Sequence, residues 1–258
     1  MARVLAISSQ VVYGPVGLNC IVPALQAGGH EVLAIPTILL SNHPGHGKPE
    51  GRATAAAEMS AMIAALEKLG AFENLDAVIT GYFVSAEQVE IVASLIARVK
   101  CKIILIDPVL GDHGKLYVGE AVAKAIRDEL MPLATIITPN AFELSWLTEL
   151  PTGDAEEAVR AARSLGITEV IATSVVKSAH ELSTLSISSN EVETISSAME
   201  SKVPNGTGDL LSGLYLSGLL GTSPQSAFAD AMTKLQQVIE QSKGTMMLDV
   251  SHLVKGCL

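Results

Sequence analysis

Cysteine is scarce in this sequence, and the few cysteines are far apart. Of 258 residues only three are cysteine, Cys20, Cys101 and Cys257, and no C-x-x-C spacing occurs among them. An odd, scattered set is typical of buried or free thiols in a reducing cytoplasm. The spacing therefore argues against a disulfide framework and against a zinc site.

Positive charge and long apolar runs are also scarce. Lys and Arg number 17 against 27 Asp and Glu, the formal net charge is -10, and the basic residues form no cluster. A nucleic-acid partner would need a basic stripe, so none is expected. The most apolar stretches, residues 102–110 and 210–220, are shorter than the roughly 18 residues that cross a bilayer. We therefore predict no membrane span, no export signal and a cytoplasmic location.

The two commonest nucleotide-binding fingerprints are absent. No G-x-G-x-x-G follows the first predicted strand, and no G-x-x-x-x-G-K-[ST] occurs anywhere. The glycines before Lys48 do not begin a phosphate-binding helix, because Pro49 follows directly. His43 and His46 lie in the same loop without a nearby third ligand, which argues against a metal site there. A dinucleotide site and a Walker-type ATPase are both disfavoured.

The hydrophobic content is high, and its pattern predicts an α/β fold. Hydrophobic residues make up 48% of the chain, which argues against disorder. Short apolar runs alternate with segments of helical period, as in a mostly parallel sheet with helices on both faces. Strands are predicted at residues 4–8, 31–37, 76–80, 102–106, 135–138 and 169–173, and helices at 21–27, 53–69, 86–99, 119–131, 142–147, 155–165 and from 209 onward.

The last strands are predicted to differ from the rest. Residues 182–188 and 192–196 alternate like an antiparallel pair, which predicts a hairpin at the edge of the sheet. Residues 37–52 are predicted to be a loop rich in Pro and Gly. No repeat and no linker marks a boundary, so we expect a single domain over residues 1–258.

Polar residues follow the predicted strands, at the end where open parallel sheets bind their ligands. The residues in such positions are Ser9 and Gln10, Gly81 and Tyr82, Asp107, Pro108 and Asp112, Asn140 and Glu143, and Thr173 and Ser174.

The sharpest local motif is Asn205-Gly206-Thr207-Gly208-Asp209, which leads directly into an apolar helical run. Small residues before a helix let several amides point at one anion, and the helix dipole adds positive potential. An ionised Asp209 in the first turn could accept a proton from a hydroxyl that attacks a phosphate. The alternative is that Asp209 only caps the helix.

Two further segments carry paired oxygen ligands. Asn140 and Glu143 lie three apart at a predicted helix start, where they could hold magnesium through water or simply form the helix N-terminus. Asp107 and Asp112 lie on a loop directly after a strand, where they could face magnesium or phosphates or form a solvated turn.

Taken together, these features resemble the pyridoxal kinases of the ribokinase superfamily over nearly the whole chain. The motif at residues 206–209 is typical of the superfamily, and the others narrow the resemblance to the vitamin B6 kinases. The segments that carry it are Ser9 with Gly14-Pro15-Val16-Gly17, Ser41-Asn42-His43, Thr80-Gly81-Tyr82, Asp107-Pro108-Val109-Leu110-Gly111-Asp112, Ile137-Thr138-Pro139-Asn140 with Glu143, and Gly206-Thr207-Gly208-Asp209.

The resemblance implies a ribokinase-like three-layer α/β/α sandwich and a definite chemistry. It implies ATP-dependent phosphorylation of the 5'-hydroxymethyl group of pyridoxal, pyridoxine and pyridoxamine, with Mg2+, a K+ ion and a homodimer. The implied residues are Asp209 with the amides of Gly206, Thr207 and Gly208 for catalysis, Ser9, Val16, His43 and Tyr82 for the vitamer, Asp107 and Glu143 for the metal, and Asp107, Asp112, Tyr117, Asn140, Glu143, Thr173, Ser174, Gly206 and Gly208 for ATP.

The chain departs from that family in three places, and other functions stay open. Pro44 replaces a Thr, the stretch between Ser174 and Pro204 is shorter, and Val175 replaces a Ser. These changes bear on vitamer preference and on nucleotide affinity. The alternatives are a hydroxymethylpyrimidine kinase and a non-catalytic binder of vitamin B6 or nucleotide. A sugar kinase is disfavoured, because a loop at residues 37–52 would leave no strand lid.

Overall fold

A mixed β-sheet forms the centre of the molecule. The computed structural model describes residues 1–178, 180–199 and 203–253, so that Cys257 lies outside the described residues. The strands are β1 (Arg3–Tyr13), β2 (Glu31–Asn42), β3 (Gly51–Ala53), β4 (Ala77–Thr80), β5 (Ile103–Ile106), β6 (Gly111–Asp112), β7 (Lys115–Leu116), β8 (Ile136–Ile137), β9 (Glu169–Ser178), β10 (Glu181–Ile187) and β11 (Val192–Ala198).

Nine of these strands form one sheet in the order β11-β10-β9-β8-β5-β4-β1-β2-β3, and β6 and β7 form a separate hairpin. The six strands from β9 to β2 in that order run parallel. The two edges are antiparallel, with β3 at one and the β10-β11 hairpin at the other. The predicted edge hairpin is therefore confirmed.

Helices cover both faces of the sheet. They are α1 (Leu18–Ala27), α2 (Ala56–Lys68), α3 (Ala86–Arg98), α4 (Glu120–Ala125), α5 (Ala141–Thr148), α6 (Ala155–Ser164), α7 (Thr207–Leu219) and α8 (Pro224–Gln241), with a π turn at Ile126–Leu130 and 3-10 turns at Pro44–His46, Met131–Leu133 and Val250–Leu253. In the described residues no helix is long and apolar enough to cross a membrane.

The parallel strands are buried on both faces, which explains their uninterrupted apolar runs. Alternate residues such as Ile7 and Ile106 pack against α2 to α6 on one side. Their neighbours, such as Ala6 and Leu105, pack against α1, α7 and α8 on the other side. The fold is thus the three-layer α/β/α sandwich that was expected.

The first strand is longer than predicted. β1 passes a bulge between Ser8 and Gln10 and continues to Tyr13, so Ser9 lies inside the strand and does not follow it. Past the bulge Gln10 and Val12 are exposed whereas Val11 is buried. Only one residue in four of this stretch is buried, so it lacks the continuous apolar run that marks a central strand.

The prediction that residues 37–52 form a loop is wrong. β2 continues to Asn42, the chain turns at Pro44–His46, and β3 returns antiparallel to Ile38, Leu39 and Leu40. We call residues 38–53 the flap. All three residues of β3 are exposed, so no hydrophobic pattern marks this strand. The absence of a strand lid therefore no longer argues against a sugar kinase.

The ends of one other strand and of one helix also differ from the prediction. β9 continues to Ser178, so Thr173 and Ser174 lie inside it, at a register shift where Ser174 has a φ of 57°. The helix predicted at residues 119–131 is α-helical only to Ala125 and then becomes a π turn and a 3-10 turn. Pro132 lacks an amide proton, so a regular α-helix cannot continue unstrained through it.

Candidate active site

The N-terminus of α7 forms a turn that only glycine can make. Gly206 has a φ of 98°, and a Cβ there would lie 2.3 Å from the carbonyl oxygen of Pro15. The amide of Leu210 donates to the carbonyl oxygen of Gly206 at 2.9 Å. The four amides before it, from residues 206 to 209, precede this intrahelical bond and have no acceptor within the helix, as in every helix N-terminus. They and the helix dipole provide a site for an anion.

Asp209 is half-exposed as a whole residue, but its carboxyl group is buried at the first turn of α7. Burial raises its pKa to about 6, and a hydrogen bond from the backbone amide of Gly17 acts in the opposite direction. The helix cap is Gly206, without a side-chain bond. Asp209 is therefore not the N-cap residue of α7, and its function as a base stays a prediction.

Three of the residues expected to bind the vitamer lie around Asp209. A Cβ on Gly17 would lie 2.4 Å from Oγ of Ser9, and one on Gly81 would lie 3.8 Å from Oδ1 of Asp209. The backbone amide of Tyr82 donates to the hydroxyl of Ser8 at 3.2 Å. Val16, within the same turn as Gly17, is buried. The bulge of β1, the turn before α1 and the end of β4 thus bring Ser9, Val16 and Tyr82 to the first turn of α7.

The flap brings His43 to the same end of the sheet. Nδ1 of His43 accepts the amide of Gly45 at 3.1 Å, and burial followed by the neighbouring His46 lowers the pKa of His43. A Cβ on Gly45 would lie 2.7 Å from the side-chain amide nitrogen of Asn205, which is two residues before Thr207. The turn of the flap therefore reaches the edge of the anion site.

Asp107 follows β5 and is 5% exposed. Its Oδ2 accepts the hydroxyl of Ser212 at 3.0 Å. Burial, Asp209 and Glu143 raise its pKa well above the usual value, against hydrogen bonds from Ser212 and from the amide of Val109. Asp107 and Asp209 are thus close enough to repel each other, although they come from opposite halves of the chain.

Glu143 forms a capping box at the start of α5. Its Oε2 accepts the amide of Asn140 at 2.9 Å, and its Oε1 accepts the amides of Leu110 and Gly111 at 2.7 Å and 3.3 Å. Burial raises its pKa to about 7, although these three amides act in the opposite direction. The helix-start interpretation is confirmed. Since three of about four acceptor positions are taken, any metal contact of Glu143 is restricted to the remaining one.

The other expected nucleotide contacts lie around the same loop. Asp112 and Tyr117 are exposed on and beside the β6-β7 hairpin, and the amide of Tyr117 donates to the carbonyl oxygen of Leu110 at 3.0 Å. The amide of Thr173 donates to Pro139 at 2.9 Å, directly before Asn140, and Ser174 is exposed. The sheet therefore brings the whole predicted set to one end of the molecule.

The site is acidic and contains little positive charge. Among the described side chains no Lys or Arg forms an ion pair with Asp107, Glu143 or Asp209. In the same part of the chain no three His, Cys, Asp or Glu side chains form a metal site by themselves. Mg2+ often keeps water and binds one or two carboxylates together with substrate phosphates. The hard oxygen donors of Asp107 and Glu143 fit such a shared site.

Two residues of the site were missed by sequence reasoning. Gly17 stood in a quoted motif but had no function assigned, and Ser212 lies in an apolar helical run. The glycine before the start of α1 was a usable signal, because glycines allow close backbone approach. Nothing in the sequence distinguishes Ser212 from an ordinary serine inside a helix.

Known proteins match this chain over most of its length. The family model "Phosphomethylpyrimidine kinase" matches residues 50–250. A pyridoxine/pyridoxal/pyridoxamine kinase from Bordetella avium is 35% identical over 249 residues, which cover 92% of this chain and 84% of that protein.

Solved structures agree with this assignment. The pyridoxal kinase of Entamoeba histolytica superposes with a TM-score of 0.93 at 29% identity, over 99% of this chain and 95% of the other. The pyridoxal kinase of Leishmania donovani in complex with ADP and pyridoxine gives 0.91 at 28% identity, over 98% and 94%. The chain belongs to the phosphomethylpyrimidine kinase family and, within it, to the pyridoxal kinases.

Proposed function

We propose that this enzyme transfers the γ-phosphoryl group of ATP to the 5'-hydroxyl of pyridoxal, and also of pyridoxine and pyridoxamine. The observation that carries the proposal is the carboxyl group of Asp209 beside the open amides of α7. The Bordetella avium relative is named for all three vitamers, and the Leishmania donovani structure holds ADP with pyridoxine.

In the proposed reaction Asp209 acts as the general base. It takes the proton of the 5'-hydroxyl as the oxygen forms its bond to the γ-phosphorus, and the bond from that phosphorus to the bridging oxygen breaks to release ADP. The amides of Gly206, Thr207 and Gly208 face the three oxygens on which negative charge spreads. Little covalent chemistry is required of the protein beyond alignment and this proton transfer.

The N-terminus of α7 supplies positive potential for the phosphates. Among the described side chains no Lys or Arg forms an ion pair with Asp107, Glu143 or Asp209. Asp107, with Glu143 at its one remaining position, would hold Mg2+. When bound, that ion neutralises phosphate charge and orients the triphosphate. Asp112, Tyr117, Asn140, Thr173 and Ser174 would surround the rest of ATP.

The vitamer would lie between β1, β4 and the flap. Ser9, Val16, His43 and Tyr82 are proposed to line this pocket, with the ring between them and the 5'-group toward Asp209. A K+ requirement, a homodimer, a cytoplasmic location and a single kinase domain over residues 1–258 stay predictions of the sequence and its resemblance.

Substrate assays test the proposal and separate it from its nearest rival. The family model's own description favours a hydroxymethylpyrimidine kinase as the second candidate. ADP release is measured with each of the three vitamers and with hydroxymethylpyrimidine, in Mg2+ and K+. Turnover with at least one vitamer, at a higher kcat/KM than with the pyrimidine, is expected. No turnover with any vitamer would overturn the proposal.

A further inference from the structure

The hydroxyl of Ser212 connects α7 to the ends of two strands. Its side chain is completely buried, one helical turn beyond Asp209. The oxygen lies 3.0 Å from Oδ2 of Asp107 after β5, and 2.8 Å from the hydroxyl of Thr138 after β8. It also lies 3.0 Å from the carbonyl oxygen of Gly208 in its own helix. The proposed chemistry does not use this residue.

The number of hydroxyl protons determines which group is the donor in each of these hydrogen bonds. Serine has one hydroxyl proton, and neither a carbonyl oxygen nor an ionised carboxylate can donate. The Thr138 hydroxyl can donate to Ser212, whose own proton then goes to Asp107 or to Gly208. When it is ionised, Asp107 is the stronger acceptor, whereas the carbonyl oxygen of Gly208 already accepts a backbone amide within the helix.

We infer that Ser212 is a positioning residue, whose hydroxyl fixes the carboxylate of Asp107 to the helix that carries Asp209. The inference rests on the proposed function, in which Asp209 is the base and Asp107 would hold Mg2+. The amide of Val109 provides the second anchor of Asp107. Ser212 and the amide of Val109 therefore both donate to this carboxylate, which restricts how the group can rotate.

A purely structural explanation has a matched control in the same chain. The hydroxyl of Ser242 donates to the carbonyl oxygen of Val238 at 2.6 Å, four residues earlier, and this side chain is also completely buried. Ser242→Ala therefore removes a buried serine hydroxyl of comparable type at the end of α8, away from the carboxylates.

The test compares Ser212→Ala, Ser212→Thr and Ser242→Ala by calorimetric binding of ADP with and without Mg2+, and by steady-state kinetics. Ser212→Ala is expected to weaken magnesium-dependent ADP binding and raise the KM for MgATP by about 10- to 100-fold, the usual effect of losing such a partner. The KM for pyridoxal should change by less than about 2-fold, and Ser212→Thr should restore most of the loss. Ser242→Ala should change neither constant.

A double-mutant cycle with Asp107→Ala completes the test. If Ser212 acts through Asp107, adding Ser212→Ala to that variant has no further effect on ADP binding. The inference is overturned if Ser212→Ala binds ADP like Ser242→Ala, or if its effect persists without Asp107. The binding measurements report on Ser212 even if the wild-type protein phosphorylates no vitamer, so the two failures are distinguishable.

Discussion

Asn140 and Glu143 exchange two hydrogen bonds, in which the amide of each residue donates to the side chain of the other at 2.9 Å. The same carboxylate also accepts the amides of Leu110 and Gly111. A single buried side chain thus joins the start of α5 to the loop that begins at Asp107. Glu143 therefore organises the part of the site that is proposed to bind ATP, whether or not it also contacts a metal.

Removing Glu143 should destabilise the protein. Glu143→Ala leaves three amides without their acceptor at a position that is 3% exposed, and we expect a loss of roughly 2 to 3 kcal/mol. Urea denaturation measures it. Glu157→Ala is the matched control, because Glu157 stands at the same position of a capped helix and accepts one exposed amide, that of Gly153. If Glu143→Ala lowered the free energy of unfolding no more than Glu157→Ala does, Glu143 would not stabilise the joining of α5 to the loop after β5.

The rate should depend on pH through Asp209. Burial raises the pKa of this group to about 6, and a general base must be ionised to act. We therefore expect kcat/KM for the vitamer to fall about tenfold per unit below pH 6 and to be level above it. Initial rates are measured at saturating MgATP with two different vitamers. A fall in rate at the same pH with both vitamers must come from a group of the enzyme and not of the substrate. A level rate down to pH 4.5 would be incompatible with a buried base.

Asp209 should also reduce stability when it is ionised. Its folded-state pKa of about 6 exceeds the usual 3.8, so the folded protein binds this proton more tightly than the unfolded chain does. The resulting loss of folding stability is fully present above the pKa of the folded state, and it disappears below the pKa of the unfolded state. Ligand-free Asp209→Asn should be about 1 to 3 kcal/mol more stable than wild type near pH 8, and no more stable near pH 4.

Denaturation at the two pH values checks this difference. Asp230→Asn is the control, because Asp230 is exposed on α8, and its stability should match that of wild type at both. If Asp209→Asn were less stable than wild type at pH 8, the ionised carboxylate would stabilise the folded protein, and this prediction would be contradicted.

The turn at Gly206 should not tolerate a side chain. Ala at this position would have to adopt a φ of 98° and would place its Cβ 2.3 Å from Pro15. The turn must shift, and with it the amides that are proposed to face the phosphoryl group. We expect Gly206→Ala to lower kcat on the order of 10²-fold. Gly119→Ala, where a Cβ meets open space, should keep wild-type rates, and equal rates in both variants would exclude this function of the turn.

The central strands could be predicted because burial on both faces leaves an uninterrupted apolar run. The site could be located for the same reason, since the end of each such run marks the sheet edge where ligands bind. β3 could not be predicted, because its three exposed residues carry no hydrophobic pattern. The continuation of β1 past Ser8 was hidden by a bulge, which changes the alternation of side chains.

Contacts between distant segments could not be predicted from the sequence alone. Ser212 is 105 residues from Asp107, and neither local propensity nor spacing predicts their hydrogen bond. Gly17 likewise appears as one glycine among several, and only the packing of its turn against α7 brings its amide to Asp209. Motifs identified the chemical groups, whereas tertiary packing set their burial and therefore their pKa values.

The most direct measurement compares catalysis with binding in Asp209→Asn. Single-turnover phosphorylation of pyridoxal is followed by rapid quench, and pyridoxal binding by calorimetry, with Asp230→Asn as control. The rate should fall on the order of 10² to 10⁴, while the Kd for pyridoxal changes by less than about 3-fold. A rate within tenfold of wild type, or a parallel loss of binding, would contradict the assignment of Asp209 as the base.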